Sequence, residues 1–319
     1  MFGANNLKSE INVTEISVEC PVKACKNTVP RQRGTFHRSA KFLCPEHGIY
    51  ISPSTFEYDK PTDNLLWKNE NDLDLLRRIS AVKRESRIAR DNSEDAVTWN
   101  VFRFLEKEKL LSNYLLLLSK NEALNPEVMY WSYCQSEQAV WSQLVEARKE
   151  FELKPDKGSE PDVIIISDKT LFVIEAKLNA NNNTMSTSRD PLVKEKYISG
   201  GCGWYQSSFK SDFETVAITE RKYELLRFWL LGSWMAKQKD LKFVLINLVP
   251  SEKEKDIESR FKKHIKEDTN KTFQRLTWER IYSFIREAEN PQKESILEYF
   301  ENKTRGYNQE RKLQKAFSV

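Results

Sequence analysis

Asp162, Glu175 and Lys177 carry chemistry at the ends of two strongly apolar, strand-like runs, 162–167 and 170–177. Two short apolar runs separated by a tight turn predict an antiparallel hairpin. With a two-residue turn, the pairing places Asp162 directly opposite Glu175, where Cβ atoms are about 4.5–5.5 Å apart. Lys177 lies on the same face, because side chains alternate along a strand. The sequence therefore predicts two carboxylates and one ammonium group at one end of a hairpin.

Such a group of charges favours a bound cation. Two carboxylates at this distance repel each other unless one is protonated or a cation lies between them. Mg²⁺ is commonly held by one or two carboxylates together with phosphate oxygens. The metal polarises the phosphoryl oxygen and activates water, and a lysine can orient or deprotonate that water and offset the developing charge. We therefore expect Mg²⁺, or Mn²⁺, at Asp162 and Glu175.

Pro161-Asp162, followed at the end of the second run by Glu175-Ala176-Lys177, resembles the active-site motif of the PD-(D/E)xK nuclease superfamily. The resemblance implies that Asp162, Glu175 and the backbone carbonyl of Ala176 bind the metal, with Lys177 at the catalytic water. It also implies an α/β fold with a restriction-endonuclease-like αβββαβ core, in which helices flank a mixed central sheet. The expected activity is hydrolysis of phosphodiester bonds in DNA, with RNA not excluded, in a context such as defence or repair.

An acidic residue on the first helix is a further feature that this resemblance implies. Residues 92–95 provide a helix start signal. Glu94 precedes Val97 by three positions and Val101 by seven, so it shares their inward face. Asp95 is the alternative, and as an acid in the cap region it also has a purely structural interpretation. Glu94 therefore joins the expected catalytic residues.

A second group of chemistry-bearing residues lies near the start of the chain: Cys20, Cys25, Cys44 and His47. Structural zinc takes four tetrahedral sulfur or nitrogen ligands, usually supplied by two short turns. We expect these four residues to bind Zn²⁺ in a module that resembles a zinc ribbon. His37 competes with His47 for the fourth position, and scattered free cysteines are the alternative interpretation.

The elements that must position these groups divide the chain into three expected parts. Residues 1–60 form the zinc-ribbon-like module, 61–92 a charged helical connector, and 93–319 the nuclease-like domain with a helical C-terminal extension. The apolar runs of the hairpin suit strands that are buried on both faces. The Asn-rich loop, residues 179–184, is expected to be disordered rather than to enter a nucleic-acid groove.

The composition favours a soluble protein. Of the 319 residues, 39% are hydrophobic and 31% charged, and the net charge of +4 is too weak to establish nucleic-acid binding. No apolar run approaches the roughly 20 residues that span a bilayer, and the N-terminus lacks a signal-peptide pattern. We therefore expect a cytoplasmic protein without a membrane partner. Basic residues around the expected zinc site could contact DNA or form a solvated face: Lys23, Lys26, Arg31, Arg33, Arg38 and Lys41.

Two other functions compete with the nuclease interpretation. One is a non-catalytic nucleic-acid-binding protein that keeps the nuclease fold, although such a protein would be expected to lose the lysine or a carboxylate. The other is a zinc-stabilised interaction scaffold without a nucleic-acid role. The oligomeric state is open, with a homodimer among the alternatives.

Overall fold

The computed structural model describes residues 3–83, 86–119, 124–155, 158–188 and 190–319. The chain packs into two compact units. The first unit contains Met1–Asp74, Glu85–Glu108 and Thr277–Val319, and the second contains Leu75–Arg84 and Lys109–Leu276. The domain boundaries expected near residues 60 and 92 stay predictions. The C-terminal segment Thr277–Val319 belongs to the same unit as the N-terminal segment.

The N-terminal part of the first unit is built from five short strands and one apolar cluster. They are β1 (Ser17–Glu19), β2 (Thr28–Pro30), β3 (Leu43–Cys44), β4 (Ile49–Ile51) and β5 (Phe56–Tyr58). β1 pairs with β2, and β4 pairs with both β3 and β5, always antiparallel. The buried side chains of Val18, Ile49 and Phe56 pack around the cysteines. Short 3₁₀ turns lie at Ala40–Phe42 and Pro61–Asn64.

Three helices come next in the chain: α1 (Glu70–Val82), α2 (Glu94–Lys107) and α3 (Leu111–Ser119). The predicted start of α2 is confirmed, because Ser93 Oγ accepts a hydrogen bond of 3.1 Å from the Ala96 backbone N–H. Satisfying a free N–H in this way stabilises a helix start. Trp99 and Phe102 are among the buried residues of α2, so this helix belongs to the core of the first unit.

A seven-stranded sheet organises the second unit. Its members are β6 (Glu127–Tyr130), β7 (Tyr133–Cys134), β8 (Ala139–Val140), β9 (Val163–Ile166), β10 (Thr170–Ala176), β11 (Lys242–Val249) and β12 (Lys271–Thr277). The spatial order is β12-β11-β10-β9-β6-β7-β8. β10 runs antiparallel to β9 and parallel to β11, so the sheet is mixed. Every residue of β10 is buried, which confirms that this run forms a central strand.

Helices flank this sheet, so the expected α/β class is confirmed. They are α4 (Ser142–Phe151), α5 (Pro191–Ser208), α6 (Tyr223–Gln238) and α7 (Ile257–Lys262), with a π-helical turn at Thr215–Thr219. α5 is interrupted by non-helical backbone from Gly200 to Gly203. α6 packs on β10 and β11, and a Cβ at Gly232 would collide with the ring of Phe243. A glycine is therefore required where this helix crosses the sheet.

The C-terminal elements complete the first unit: α8 (Trp278–Glu287), α9 (Lys293–Asn302), β13 (Thr304–Tyr307) and β14 (Leu313–Lys315). Lys303 is fully buried, with its Nζ 3.2 Å from Asp91 Oδ1. The same carboxylate accepts a 2.6 Å hydrogen bond from Thr304 Oγ1. This buried pair joins the segment before α2 to the C-terminal part of the chain, 212 positions further along. No described helix combines the length and apolar content needed to cross a bilayer.

Candidate functional site

The hairpin of β9 and β10 has the predicted register. Its final backbone pair is Val163 with Ile174, so the next position places Asp162 opposite Glu175. The side chain of Asp162 extends the pairing of the two strands, because its Oδ2 accepts a 2.8 Å hydrogen bond from the Ala176 backbone N–H. The alternation of side chains along the strand then places Lys177 on the side of Glu175. The three motif residues therefore meet at one end of the central strand.

Glu175 and Lys177 are charged groups in a buried environment, only 3% and 9% exposed. Lys177 Nζ donates a hydrogen bond to Glu175 Oε1 and lies 3.0 Å from Glu224 Oε2. In the described part of the chain, the buried Glu175 Oε2 has no hydrogen-bond partner. We call Asp162, Glu175, Lys177 and Glu224 the acidic cluster. It combines three carboxylates with one ammonium group.

The protonation of the acidic cluster follows from burial and from mutual charge. Burial raises the pKa of Glu175, and the nearby Asp162 and Glu224 raise it further, while Lys177 opposes them. For Lys177, burial lowers the pKa, but the surrounding carboxylates outweigh burial and raise it above its ordinary value. Lys177 is therefore held as a cation. In this arrangement it donates hydrogen bonds and does not take up a proton.

Glu224 is the member of the acidic cluster that the sequence analysis missed. It lies in the first turn of α6, where an acidic residue is usually explained by the helix dipole. Its backbone N–H donates a 2.9 Å hydrogen bond to Thr184 Oγ1, and the Tyr223 N–H donates one of 3.1 Å to the Thr184 carbonyl. Thr184 thus fixes the start of α6, and with it the position of Glu224 beside Lys177.

Hydrogen bonds of the Asn182 backbone and side chain hold the Asn-rich loop in place. Asn182 is fully buried, and its backbone N–H donates a 2.9 Å hydrogen bond to Glu254 Oε1. Its carbonyl accepts a 2.8 Å hydrogen bond from Lys222 Nζ, the residue before α6. Asn247 of β11 donates to the other oxygen of Glu254 at 2.9 Å. The expectation of disorder is therefore wrong here, because buried partners satisfy these polar groups.

Glu94 and Asp95, the candidates for a helix acid, begin α2 in the first unit. The other three expected catalytic residues belong to the second unit. Asp95 Oδ2 accepts a 3.1 Å hydrogen bond from the Arg87 backbone N–H, which supports its structural interpretation. A catalytic role for Glu94 stays a prediction.

Cys20, Cys25, Cys44 and His47 form the Cys/His cluster, and their ligand atoms all lie within 4.8 Å of one another. His47 Nδ1 is 3.7 Å from both Cys20 Sγ and Cys44 Sγ, and Cys25 Sγ is 3.9 Å from Cys44 Sγ. A tetrahedral zinc site with Zn–S bonds of about 2.3 Å has S···S separations of roughly 3.8 Å. These distances suit a single tetrahedral metal ion. Among the described residues the cluster includes His47 and not His37, so His47 is the histidine placed to serve as a fourth ligand.

Two turns beside the short strands position the Cys/His cluster. Cys20 and Cys25 lie in the connection from β1 to β2, while Cys44 ends β3 and His47 lies in the turn before β4. In the second turn the Gly48 N–H donates a 3.0 Å hydrogen bond to the Cys44 carbonyl. Burial raises the pKa of the Cys20 and Cys25 thiols, so nearby positive charge is needed to hold them as thiolates.

The basic residues near the Cys/His cluster are partly engaged inside the first unit. Lys23 lies 2.9 Å from a carboxylate oxygen of Glu298, and Arg38 lies 3.1 Å from Asp59. The Arg31 guanidinium stacks on a tyrosine ring with 3.5 Å to its centroid. These contacts support the interpretation of a structural and solvated face. DNA contact by this part of the chain stays a prediction.

No family model, curated protein or solved structure matches this chain.

Proposed function

We propose that this protein is a metal-dependent nuclease that hydrolyses phosphodiester bonds in DNA through Asp162, Glu175 and Lys177. The observation that carries the proposal is the hairpin register, which sets Asp162 opposite Glu175 with Lys177 buried beside them. Burying charged groups is unfavourable unless they are paired or serve a ligand. Buried Glu175 and Lys177, together with the half-buried Asp162 at the same end of the hairpin, therefore call for a chemical role.

The topology of the second unit supports a restriction-endonuclease-like core as part of this proposal. β6, β9 and β10 are adjacent and antiparallel, and α6 then leads to β11, which lies parallel to β10. Along the chain, β7, β8 and α4 intervene between β6 and β9, and α5 precedes α6. Apart from these insertions, this is the order of strands, helix and final strand that the resemblance implies. Glu175 lies on β10, Lys177 directly follows it, and Asp162 directly precedes β9.

The acidic cluster offers suitable ligands for Mg²⁺ or Mn²⁺. Glu175 Oε2 is a buried carboxylate oxygen without a hydrogen-bond partner among the described residues. Asp162, Glu175 and the Ala176 carbonyl would hold the cation, because hard cations prefer oxygen ligands. When bound, such a cation supplies Lewis-acid stabilisation of the negative charge on the phosphate.

Lys177 supplies positive charge to the proposed site, and Glu224 helps to position Lys177. Lys177, held as a cation, offsets negative charge that develops on the reacting phosphate. Glu224 contacts Lys177 and keeps its ammonium group at the cluster. Glu94 remains the proposed helix acid from the resemblance, with Asp95 as its alternative.

We propose Zn²⁺ as the metal of the Cys/His cluster. Three thiolates and one imidazole are a common ligand set for structural zinc. The five short strands around the cluster enclose only a small apolar core, so a metal would contribute to their folding.

Incubation with circular and linear DNA tests the nuclease proposal. We expect cleavage with added Mg²⁺ or Mn²⁺ and none after removal of divalent ions, while Ca²⁺ should support binding better than cleavage because it favours looser coordination. The Asp168→Asn variant is a matched control, since Asp168 lies in the hairpin turn at the other end of β10. Cleavage that persists without divalent ions would contradict the mechanism. Binding without cleavage would favour the non-catalytic alternative.

A further inference from the structure

Arg227 lies on α6 one helical turn beyond Glu224, beside the acidic cluster. Its Nε donates a 2.7 Å hydrogen bond to Ser159 Oγ and is 3.5 Å from Glu152 Oε1. Its guanidinium carbon lies 5.2 Å from the centroid of the Tyr223 ring. None of these contacts uses Nη1 or Nη2, and across the described ranges neither atom has a hydrogen-bond acceptor. The side chain is 21% exposed, so these donors remain accessible.

The groups that hold Arg227 are themselves buried and fixed. Glu152 is 6% exposed, and it accepts a 3.0 Å hydrogen bond from the Ser159 backbone N–H and one of 3.2 Å from the Tyr197 hydroxyl. Arg148 Nε donates a 2.9 Å hydrogen bond to the Ser159 carbonyl. A guanidinium anchored at Nε by such a network has little freedom to turn. Its two Nη groups are therefore oriented before any ligand arrives.

The position of Arg227 connects it to the proposed chemistry. Ser159, its anchor, lies three residues before Asp162 in the chain. Burial lowers the pKa of the Arg227 guanidinium, but nearby groups outweigh burial and raise it, with Glu152 a larger contributor and Glu224 a smaller one. Lys177 is already paired with carboxylates, whereas the Nη groups of Arg227 are available for an anion. A planar pair of N–H donors matches two oxygens of a phosphate group.

We propose that Arg227 binds a backbone phosphate of the substrate through Nη1 and Nη2, while Ser159 and Glu152 orient its guanidinium. This inference depends on the proposed function, because that function supplies a phosphodiester as the substrate. Arg227 then acts in substrate binding, and the acidic cluster acts on the scissile bond.

Binding of a fluorescein-labelled DNA duplex, measured by anisotropy in Ca²⁺ over a range of salt concentrations, tests the inference. For Arg227→Gln we expect affinity to fall about 10- to 100-fold, as for a lost hydrogen bond to a charged group. The slope of log affinity against log salt should decrease in magnitude by about 0.9 for one lost phosphate contact. Arg227→Lys keeps the charge but loses the paired donors, so it should bind less tightly with nearly the wild-type slope.

The control is Lys237→Gln, which removes an exposed positive charge from the far end of the same helix. It should bind DNA as the wild type does. If Arg227→Gln proves unstable on heating, Ser159→Ala provides a second test, because it removes the anchor and keeps the charge. We expect it to weaken binding several-fold with an unchanged salt slope.

The inference would be overturned if the wild type did not bind DNA, or if Lys237→Gln lost as much DNA affinity as Arg227→Gln. It would also be overturned if Arg227→Gln bound DNA as tightly as the wild type. Where Arg227→Gln unfolds, wild-type affinity in Ser159→Ala would have the same consequence. Failure of the nuclease proposal gives a different result. Arg227-dependent binding of DNA that stays uncut in Mg²⁺ would uphold the phosphate contact and reject the catalytic function.

Discussion

The Cys/His cluster and the acidic cluster are both proposed cation sites, but the charges of their side chains are balanced differently. In the Cys/His cluster, three thiols and an imidazole face one another at distances close to those of a tetrahedral zinc site. In the acidic cluster, the ammonium group of Lys177 already lies among the carboxylates. The first arrangement suits a metal ion alone. The second suits a metal ion that arrives together with a negatively charged substrate.

The two clusters also differ in the secondary structure that holds their side chains. The Cys/His cluster lies in turns between strands of two or three residues, so few other contacts hold its ligands together. The acidic cluster is attached to β10, which is buried along its whole length and paired on both edges. Loss of the first metal should therefore mainly affect stability. Loss of the second should mainly affect chemistry.

The largest expected effect comes from isosteric changes in the acidic cluster. Asp162→Asn and Glu175→Gln should each lower the cleavage rate at least 10²- to 10³-fold, the size found when a group that stabilises transition-state charge is removed. Lys177→Met should have a similar effect, because it removes the positive charge. The fold should survive, since β10 keeps its apolar contacts. Rates of cleavage and thermal unfolding curves, measured side by side, separate the two effects.

Asp168→Asn again serves as the control and should cleave at the wild-type rate. Full activity in any of the three cluster variants would remove that residue from the proposed mechanism. A variant that loses activity only because it unfolds would be recognised by its melting curve.

The second-largest effect is expected when a cysteine of the Cys/His cluster is replaced. Cys44→Ser removes a ligand, so zinc measured by elemental analysis after gel filtration should fall from about one ion per chain to near zero. Hydrogen exchange should accelerate in β1 to β5, because the metal contributes to the folding of that part. The proposed DNA cleavage should persist, because the acidic cluster lies in the second unit, which has its own sheet.

Cys202→Ser is the matched control, because this cysteine is exposed and lies outside the cluster. It should retain zinc. A wild-type protein that contains no zinc while its cysteines are reduced would reject the site. Zinc loss without faster exchange would show that the metal has little structural role.

Local rules predicted the hairpin and the grouping of three cysteines with His47. Strand alternation and a two-residue turn were sufficient to place Asp162 opposite Glu175, and residue type with short spacing identified the Cys/His cluster. Glu224 and Arg227 escaped prediction because the contacts of Glu224 depend on how α6 packs on β10, and those of Arg227 on how α6 packs beside α4 and the segment that follows it. Likewise, the order of the Asn-rich loop depends on Glu254, which lies far along the chain. Contacts between distant segments leave no periodic signal in a single sequence.

The smallest predicted effect is on kcat, in variants that test whether α6 or α2 supplies an additional acidic residue to the proposed site. Glu224→Gln removes one of the carboxylates that raise the pKa of Lys177 and hold its ammonium group. We therefore expect kcat to fall about tenfold with little change in KM, at the lower end of the range for a residue that orients a group of a metal site. The resemblance predicts a comparable loss for Glu94→Gln. Steady-state kinetics of both variants, with Asp95→Asn beside them, distinguish these positions. If Glu224→Gln kept the wild-type kcat, Glu224 would form an ion pair with Lys177 but have no role in catalysis. An unaffected Glu94→Gln with an inactive Asp95→Asn would move the role on α2 by one residue.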